Sequence, residues 1–131
     1  MRSLVLPSVP ESVSVAVEAA EQAARESGLG EEAVSRASLV VAEAVANAVE
    51  HVPPSSSGAE VVFEAWTDGD ALSLRVCDSG DGPSAEALET AALPADLLQT
   101  HGRGLYLIRV LSDHVRVENG CLTITIRERP A

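Results

Sequence analysis

Hydrophobic residues along the chain follow two different spacings, and the switches between them predict the secondary structure. Short apolar runs and alternation of apolar with polar residues predict strands over residues 2–6, 60–66, 72–77, 115–118 and 122–127. Helical spacing predicts helices over residues 10–27, 31–51, 84–90 and 105–112. Gly28-Leu29-Gly30 ends the first helix, and Asp68-Gly69-Asp70 and Asn119-Gly120 are predicted hairpin turns.

The order of these elements predicts an α+β fold. Strands that follow one another as hairpins pair antiparallel, so the sheet is expected to be mixed but mostly antiparallel. Helices between such strand pairs are expected to pack on one face, which gives a two-layer α/β sandwich. A chain of 131 residues suits one domain with a substantial hydrophobic core, so residues 1–131 are assigned to a single domain.

Composition excludes several classes of function. The formal net charge of −11 would repel nucleic acid, and one Trp, one Tyr and one Phe provide no surface for base stacking. No apolar stretch approaches the ~20 residues that a membrane span needs. Every basic residue is Arg, so a phosphate site in this chain must use Arg, backbone N–H groups or a metal.

The two cysteines, Cys77 at the end of one predicted strand and Cys121 directly before another, are far apart in the sequence, which is not a zinc-binding pattern. They are expected to be reduced, buried thiols of a cytosolic protein. Residues 1–7 reach a proline too early for a secretory signal, and this agrees with a cytoplasmic location.

Two polar residues interrupt the most apolar part of the second predicted helix. Glu43 and Asn47 are four residues apart and therefore share one helix face. Burial of such groups without partners costs roughly 2–7 kcal/mol each, so water, a metal or a ligand should face them. The alternative is that Glu43 pairs with an arginine such as Arg36 or Arg103 and that nothing binds.

Asp78 ends a strand whose alternation places it on the same face as the apolar residues Leu72, Leu74 and Val76. Gly80 and Gly82 follow, and glycines in such a loop let the backbone approach a ligand closely. An ordinary turn capped by an aspartate has a similar composition, so this segment alone is a weak indication.

A third segment, Gly102-Arg103-Gly104-Leu105, comes just before the helix over residues 105–112. Free N–H groups and the dipole at a helix start favour an anion, and Arg103 adds a cation. A flexible hinge is the alternative interpretation.

In this order along the chain, the three segments resemble those of the GHKL ATPase superfamily, which has the Bergerat nucleotide-binding fold. Residues 43–51 are similar to its helical box, 78–83 to its first glycine box and 102–108 to its second. Within the superfamily, the chain most resembles the small anti-sigma factor serine kinases of bacterial sporulation and stress control. The resemblance covers essentially the whole sequence.

The resemblance implies a role for each matching residue at an Mg-ATP site. Asn47 would coordinate Mg²⁺, and Glu43 would be the catalytic base toward the serine hydroxyl of a protein substrate. Asp78 would accept a hydrogen bond from the adenine amino group. The remaining ATP contacts would come from Gly80 and Gly82 near the base and ribose, and from Gly102, Arg103, Gly104 and Leu105 at the phosphates. Residues 84–101 would form a lid over ATP.

One position departs from the family pattern. The family commonly has a Thr in the last strand that faces the adenine, and this chain has Leu122 there. A lost neutral hydrogen bond costs roughly 0.5–1.5 kcal/mol, so ATP binding would weaken severalfold.

Three functions stay open at this point. The first is an Mg-ATP-dependent protein serine/threonine kinase that is also an anti-sigma factor, with a sigma factor and a STAS-domain anti-anti-sigma protein as partners. The second is a nucleotide-responsive regulator that switches partners without phosphorylating them. The third is a small α/β domain whose polar residues are satisfied internally. The resemblance also implies a homodimer, and neither nucleic acid nor membrane is an expected partner.

Overall fold

A computed structural model describes residues 1–51, 58–78, 83–92 and 104–129. The strands within these ranges are β1 Arg2–Pro7, β2 Glu60–Asp68, β3 Ala71–Cys77, β4 His114–Glu118 and β5 Cys121–Ile126. The helices are α1 Ser12–Glu26, α2 Glu31–Glu50, α3 Ala85–Thr90 and α4 Gly104–Leu111. Their order is the predicted one, and each boundary lies within two residues of its prediction.

The five strands form one sheet in the order β1-β2-β3-β5-β4, and every pairing is antiparallel. The mostly antiparallel sheet is therefore confirmed, although the described strands include no parallel pair. The β2–β3 and β4–β5 pairs are the predicted hairpins, and Asn119 and Gly120 both have positive φ in the second turn. Strands β3 and β5 become neighbours across the segment that contains α3 and α4.

Helices and sheet share one hydrophobic core. Phe63 of β2, Leu74 of β3 and Ile124 of β5 are fully buried in the core that the sheet shares with α1 and α2, and Leu74 pairs directly with Ile124. Where α1 meets α2, most of the buried residues are alanines: Ala16, Ala20, Ala24, Ala33, Ala37 and Ala44. Small side chains allow two helices to pack closely, so α2 lies beside α1 and both helices contact the sheet.

The opposite face of the sheet is polar. Arg75 on β3 forms an ion pair with Glu64 on β2 at 2.6 Å, and its guanidinium lies 5.6 Å from the centre of the Trp66 ring. The alternation of β2 and β3 thus separates a core face from a polar face, as the sequence predicts.

The two cysteines form a disulfide, so the prediction of reduced, buried thiols is wrong. Cys77 at the end of β3 lies directly opposite Cys121 at the start of β5, with Cα atoms 4.1 Å apart, and both residues are half-buried. The two cysteines are 44 residues apart in the sequence. Their proximity could not be predicted from local patterns, because it depends on the pairing of β3 with β5, which are not consecutive strands.

Candidate functional site

Helix α2 carries the first two predicted site residues, Glu43 and Asn47. Both are half-buried, whereas Ala44, Val45 and Ala48 between and beside them are buried in the core. The helix therefore uses its apolar stripe for packing and leaves one polar stripe partly open. The backbone carbonyl of Asn47 accepts the N–H of His51, which closes the last turn of α2.

Glu43 faces the first residue of α4. A Cβ atom added to Gly104 would lie 3.1 Å from Glu43 Oε2, which is tighter than nearly all real Cβ contacts. Only glycine therefore leaves the carboxylate undisturbed at this distance. The structure thus brings together two residues, Glu43 and Gly104, that are 61 positions apart and that the sequence assigns to one site.

The start of α4 is a favourable place for negative charge. The free N–H groups of a first helical turn carry a partial positive charge, which attracts carboxylates and phosphates alike. Glu43 has no ion-pair partner within the described ranges, and Arg36 pairs elsewhere. The alternative in which Glu43 is neutralised by Arg36 is therefore wrong, and Arg103 lies outside the described residues.

Arg36 instead forms hydrogen bonds at the C-terminal end of α4. Its side chain is only 4% exposed and donates to Asp113 Oδ2 at 3.0 Å and to the carbonyl of Leu111 at 3.2 Å. It also pairs with Glu32 one turn earlier on α2, at 2.7 Å, and donates to the carbonyl of Arg127. One buried cation thereby joins α2, the end of α4 and the segment after β5.

Charges in this cluster reinforce one another. Burial alone raises the pKa of Asp113, but hydrogen bonds from the Arg127 N–H, Arg36 and Arg129 outweigh burial and hold it below its ordinary value. Burial likewise lowers the pKa of Arg36, yet Glu32 and Asp113 outweigh it and the net shift is upward. Arg36 is charged at any physiological pH, so its ion pairs join α2 to the segment that follows α4 across that range.

Asp78 follows β3 and is half-buried. Val76, two residues earlier, is buried against Leu122 of β5, so Leu122 also belongs to the core face. Leu122, Ile124 and Ile126 alternate along β5, and all three are buried. An apolar side chain therefore occupies the strand position at which the family commonly has a Thr.

The structure describes only some of the other predicted site residues. Leu105 is half-buried and packs on the core from the first turn of α4. Gly80, Gly82, Gly102 and Arg103 lie outside the described residues, as do the loop at 52–57 and residues 93–101 of the expected lid.

The described part of the expected lid is fastened to the body of the domain. Ser84 caps α3 by accepting the Ala87 N–H at 3.0 Å. Leu88 is buried, and Arg109 of α4 donates to the carbonyls of Leu88 at 3.2 Å and Glu89 at 2.6 Å. Helix α3 is therefore an anchored element, which the lid prediction did not foresee.

Two features near the site escaped sequence reasoning. The Arg36–Asp113 pair joins residues 77 positions apart, and no local motif marks it. The disulfide joins the residues that directly precede Asp78 and Leu122. The only signal for it in the sequence is that Cys77 ends one predicted strand and Cys121 directly precedes another.

The described residues contain neither a metal-binding cluster nor a membrane-spanning helix. These residues contain no group of three or more His, Cys, Asp or Glu side chains arranged to hold a metal ion. None of the described helices is long and apolar enough to cross a bilayer.

Sequence comparison connects this arrangement to known proteins. The family described as histidine kinase-like ATPase domain matches residues 6–128. Serine-protein kinase RsbW of Listeria monocytogenes serotype 4a (strain HCC23) is 30% identical over 121 residues, covering 88% of this chain and 77% of that relative. Serine-protein kinase RsbW of Bacillus subtilis (strain 168) is 29% identical over 120 residues, covering 87% of this chain and 75% of that relative.

Solved structures have the same fold. The RsbU and RsbW domains of Rv1364c from Mycobacterium tuberculosis align with a TM-score of 0.62 at 20% identity over 100% of this chain, which spans 34% of that chain. The histidine kinase domain of the blue-light activated kinase from Erythrobacter litoralis EL346 aligns with a TM-score of 0.57 at 19% identity, over 92% of this chain and 60% of that one. The resemblance stated from the sequence is therefore confirmed, and the chain belongs to the histidine kinase-like ATPase domain family.

Proposed function

We propose that this protein is an Mg-ATP-dependent serine/threonine protein kinase and an anti-sigma factor. Its proposed substrate is a serine or threonine of a STAS-domain anti-anti-sigma protein, and a sigma factor is its second partner. The contact between Glu43 and Gly104 carries the proposal, because it joins a candidate base to a candidate phosphate-binding helix start. Relatives that are 29–30% identical and are named serine-protein kinases support the same reaction.

The adenine end of ATP is assigned to the end of β3. Asp78 would accept a hydrogen bond from the adenine amino group, and Gly80 and Gly82 would allow the backbone to approach the base and ribose. The phosphate end is assigned to Gly102, Arg103, Gly104 and Leu105 at the start of α4. This division agrees with the absence of lysine from the sequence, since backbone N–H groups and one Arg would bind the phosphates.

Asn47 is the proposed protein ligand for Mg²⁺. Its amide oxygen suits a hard cation that retains several waters and is shared with phosphate oxygens. A cation is also required electrostatically, because phosphates at the start of α4 would otherwise lie near the Glu43 carboxylate. Bound Mg²⁺ would supply the positive charge that offsets this repulsion and stabilises the transferring phosphoryl group.

Glu43 would orient the substrate hydroxyl and accept its proton. A positioned general base contributes roughly 10²–10⁴-fold to such reactions. Its half-buried position next to a helix start leaves it accessible to a substrate hydroxyl.

Partners and location follow from the same assignment. A sigma factor and a STAS-domain protein would meet this protein in the cytoplasm, where it would act as a homodimer. The net charge of −11 would favour encounters with basic regions of a partner. Phosphorylation of the STAS protein would then control which partner is held.

A non-catalytic regulator is the second candidate, and Leu122 favours it. This side chain is 2% exposed and offers no hydroxyl to the adenine. Weaker nucleotide binding would suit a protein that responds to ATP without turning it over.

Phosphotransfer from labelled ATP to the STAS protein encoded nearest to this gene tests the proposal. Wild type should label a serine or threonine, and Glu43→Gln should reduce the initial rate roughly 10²–10⁴-fold. Melting curves should stay the same, because the amide preserves the size of the side chain. A STAS protein with Asp in place of the labelled serine or threonine would serve as a control that cannot be phosphorylated at that position.

Two results would count against the kinase. If Glu43→Gln phosphorylated its substrate at the wild-type rate, Glu43 would not be the general base, although the protein would still be a kinase. Nucleotide-dependent partner binding without any labelled partner would instead support the non-catalytic regulator.

A further inference from the structure

The disulfide links the last residue pair between β3 and β5. Cys77 and Cys121 are the final pair in the register of these strands, after Val76 with Leu122. Asp78 leaves the sheet at the next position. The covalent bond therefore fixes the end of β3 immediately before the residue assigned to adenine.

Both sulfur atoms belong to the polar face of the sheet. Val76 and Leu122 are buried on the helix side, so the neighbouring Cys77 and Cys121 alternate to the other side. Each cysteine is half-buried, and no described helix packs over that face beside them. A small reagent could reach the disulfide without passing through the nucleotide site.

The cysteines also enclose most of the assigned site. Their separation of 44 positions spans residues 78–120, which include both glycine-rich segments, α3 and α4. Glu43 and Asn47 on α2 lie outside this loop. Formation of the disulfide thus ties the two ends of the nucleotide-binding segment together while it leaves the base and metal residues on a separate element.

Redox chemistry distinguishes this bond from an ordinary structural cross-link. Disulfides are uncommon in the reducing cytoplasm proposed above, and those that form there usually sense redox state or take part in catalysis. A pair that can be reached from solvent is suited to such exchange.

We propose that Cys77 and Cys121 are a thiol–disulfide exchange site for small-molecule disulfides, and that its state sets the affinity of the nucleotide site through Asp78. The proposal rests on the assignment of Asp78 to adenine under the proposed function. The oxidised form is the tighter binder, because the cross-link holds the end of β3 in its paired position before nucleotide arrives.

Oxidation of the two cysteines by a small-molecule disulfide takes two steps. One cysteine thiolate attacks a sulfur of the small disulfide, and the first small thiolate leaves and takes up a proton. The second cysteine, as its thiolate, then attacks the cysteine sulfur of the mixed disulfide and displaces the second small thiolate, which also takes up a proton. Cys77 and Cys121 together lose two electrons and two protons, and the small disulfide becomes two thiols.

Nucleotide affinity measured in both redox states tests the proposal. Full-length wild type is equilibrated with oxidised or reduced dithiothreitol, the thiols are counted, and binding of Mg-ADP is titrated by calorimetry. Reduction should weaken binding roughly three- to tenfold, the loss expected when one hydrogen bond is no longer held in place. The double variant Cys77→Ser/Cys121→Ser should bind like reduced wild type in both buffers, and circular dichroism should show that all forms are folded.

Each other outcome has a definite meaning. Equal affinity of the two forms would overturn the switch and leave the nucleotide site intact. Thiols that never form the bond, or a reduced protein that unfolds, would also overturn it, the latter because the disulfide is then purely structural. Absence of binding in both forms would overturn the proposed nucleotide site, and the switch with it.

Discussion

The two ends of helix α4 meet the same neighbour, α2, in opposite ways. At the C-terminal end, buried Arg36 donates to the Leu111 carbonyl and pairs with Asp113, so its buried charge is matched. At the N-terminal end, Glu43 lies against Gly104 with no matching cation among the described residues. The C-terminal end of α4, the closed end, has its charges paired within the protein. The N-terminal end, the open end, has a carboxylate without a cation among the described residues.

The contrast separates the stabilising part of the fold from the part that can act on a ligand. A buried, satisfied ion cluster costs much to disturb and has no capacity left for a ligand. A carboxylate at a helix start, with space kept open by a missing Cβ, has such capacity. If this view is right, substitutions at the two ends should affect different measurements.

The largest expected effect is on stability, at the closed end. Asp113→Asn removes a charge that faces Arg36, whose side chain is 4% exposed, and leaves a buried cation partly uncompensated. We expect a loss of roughly 2–3 kcal/mol in the free energy of unfolding at pH 7, somewhat below the range for complete loss of a buried partner. Urea unfolding measures it.

Glu32→Gln is the matched control, because Glu32 contacts the same guanidinium but its side chain is 61% exposed. It should cost only roughly 0.2–1 kcal/mol. The pKa of Asp113 is lowered in the folded state, so its contribution is present above about pH 4 and is lost as pH falls through the folded pKa. The difference between wild type and Asp113→Asn should therefore shrink in acid; a constant difference from pH 7 to pH 2 would contradict it.

A smaller effect, on activity alone, is expected at the open end. In Gly104→Ala the new methyl would press on Glu43 Oε2, and the flexible carboxylate would move by a few tenths of an ångström. Stability should change little, whereas the phosphotransfer rate should fall about tenfold, since catalysis depends on position within an ångström. Initial rates with labelled ATP and a melting curve measure the two quantities.

Gly30→Ala is the matched control for crowding. Its Cβ would lie 3.2 Å from Glu128 Oε1, so it presses on a carboxylate in the same way at the start of α2, away from the site. It should leave the rate unchanged. Equal loss of activity in both variants would show that the contact of Glu43 with Gly104 has no special role.

Most of the fold was predictable because its signals are local. Alternation, helical spacing and turn residues such as Asn119-Gly120 depend on neighbours in the sequence, and all nine elements formed as expected within the described ranges. The β3–β5 pairing is not local, and so the Cys77–Cys121 disulfide was predicted wrongly as two thiols.

The site was predictable in part for the same reason. Glu43 and Gly104 were assigned to one site through family resemblance, and their contact agrees with it. Nothing in the spacing of Arg36 and Asp113 indicates a pair, because tertiary packing alone brings them together. The roles of Asn47 and Asp78 stay predictions, as do those of the four glycine-box residues outside the described ranges.

Thermal melting with Mg-ATP and Mg-ADP, for wild type and Asn47→Ala, tests the central claim that the open end of α4 and α2 form a nucleotide site. Nucleotide at ~100 times its dissociation constant should add about 2.7 kcal/mol of stability, a shift of roughly 10 °C for a domain of this size. Wild type should show this shift and Asn47→Ala should lose most of it. No shift in wild type with either nucleotide would contradict the claim.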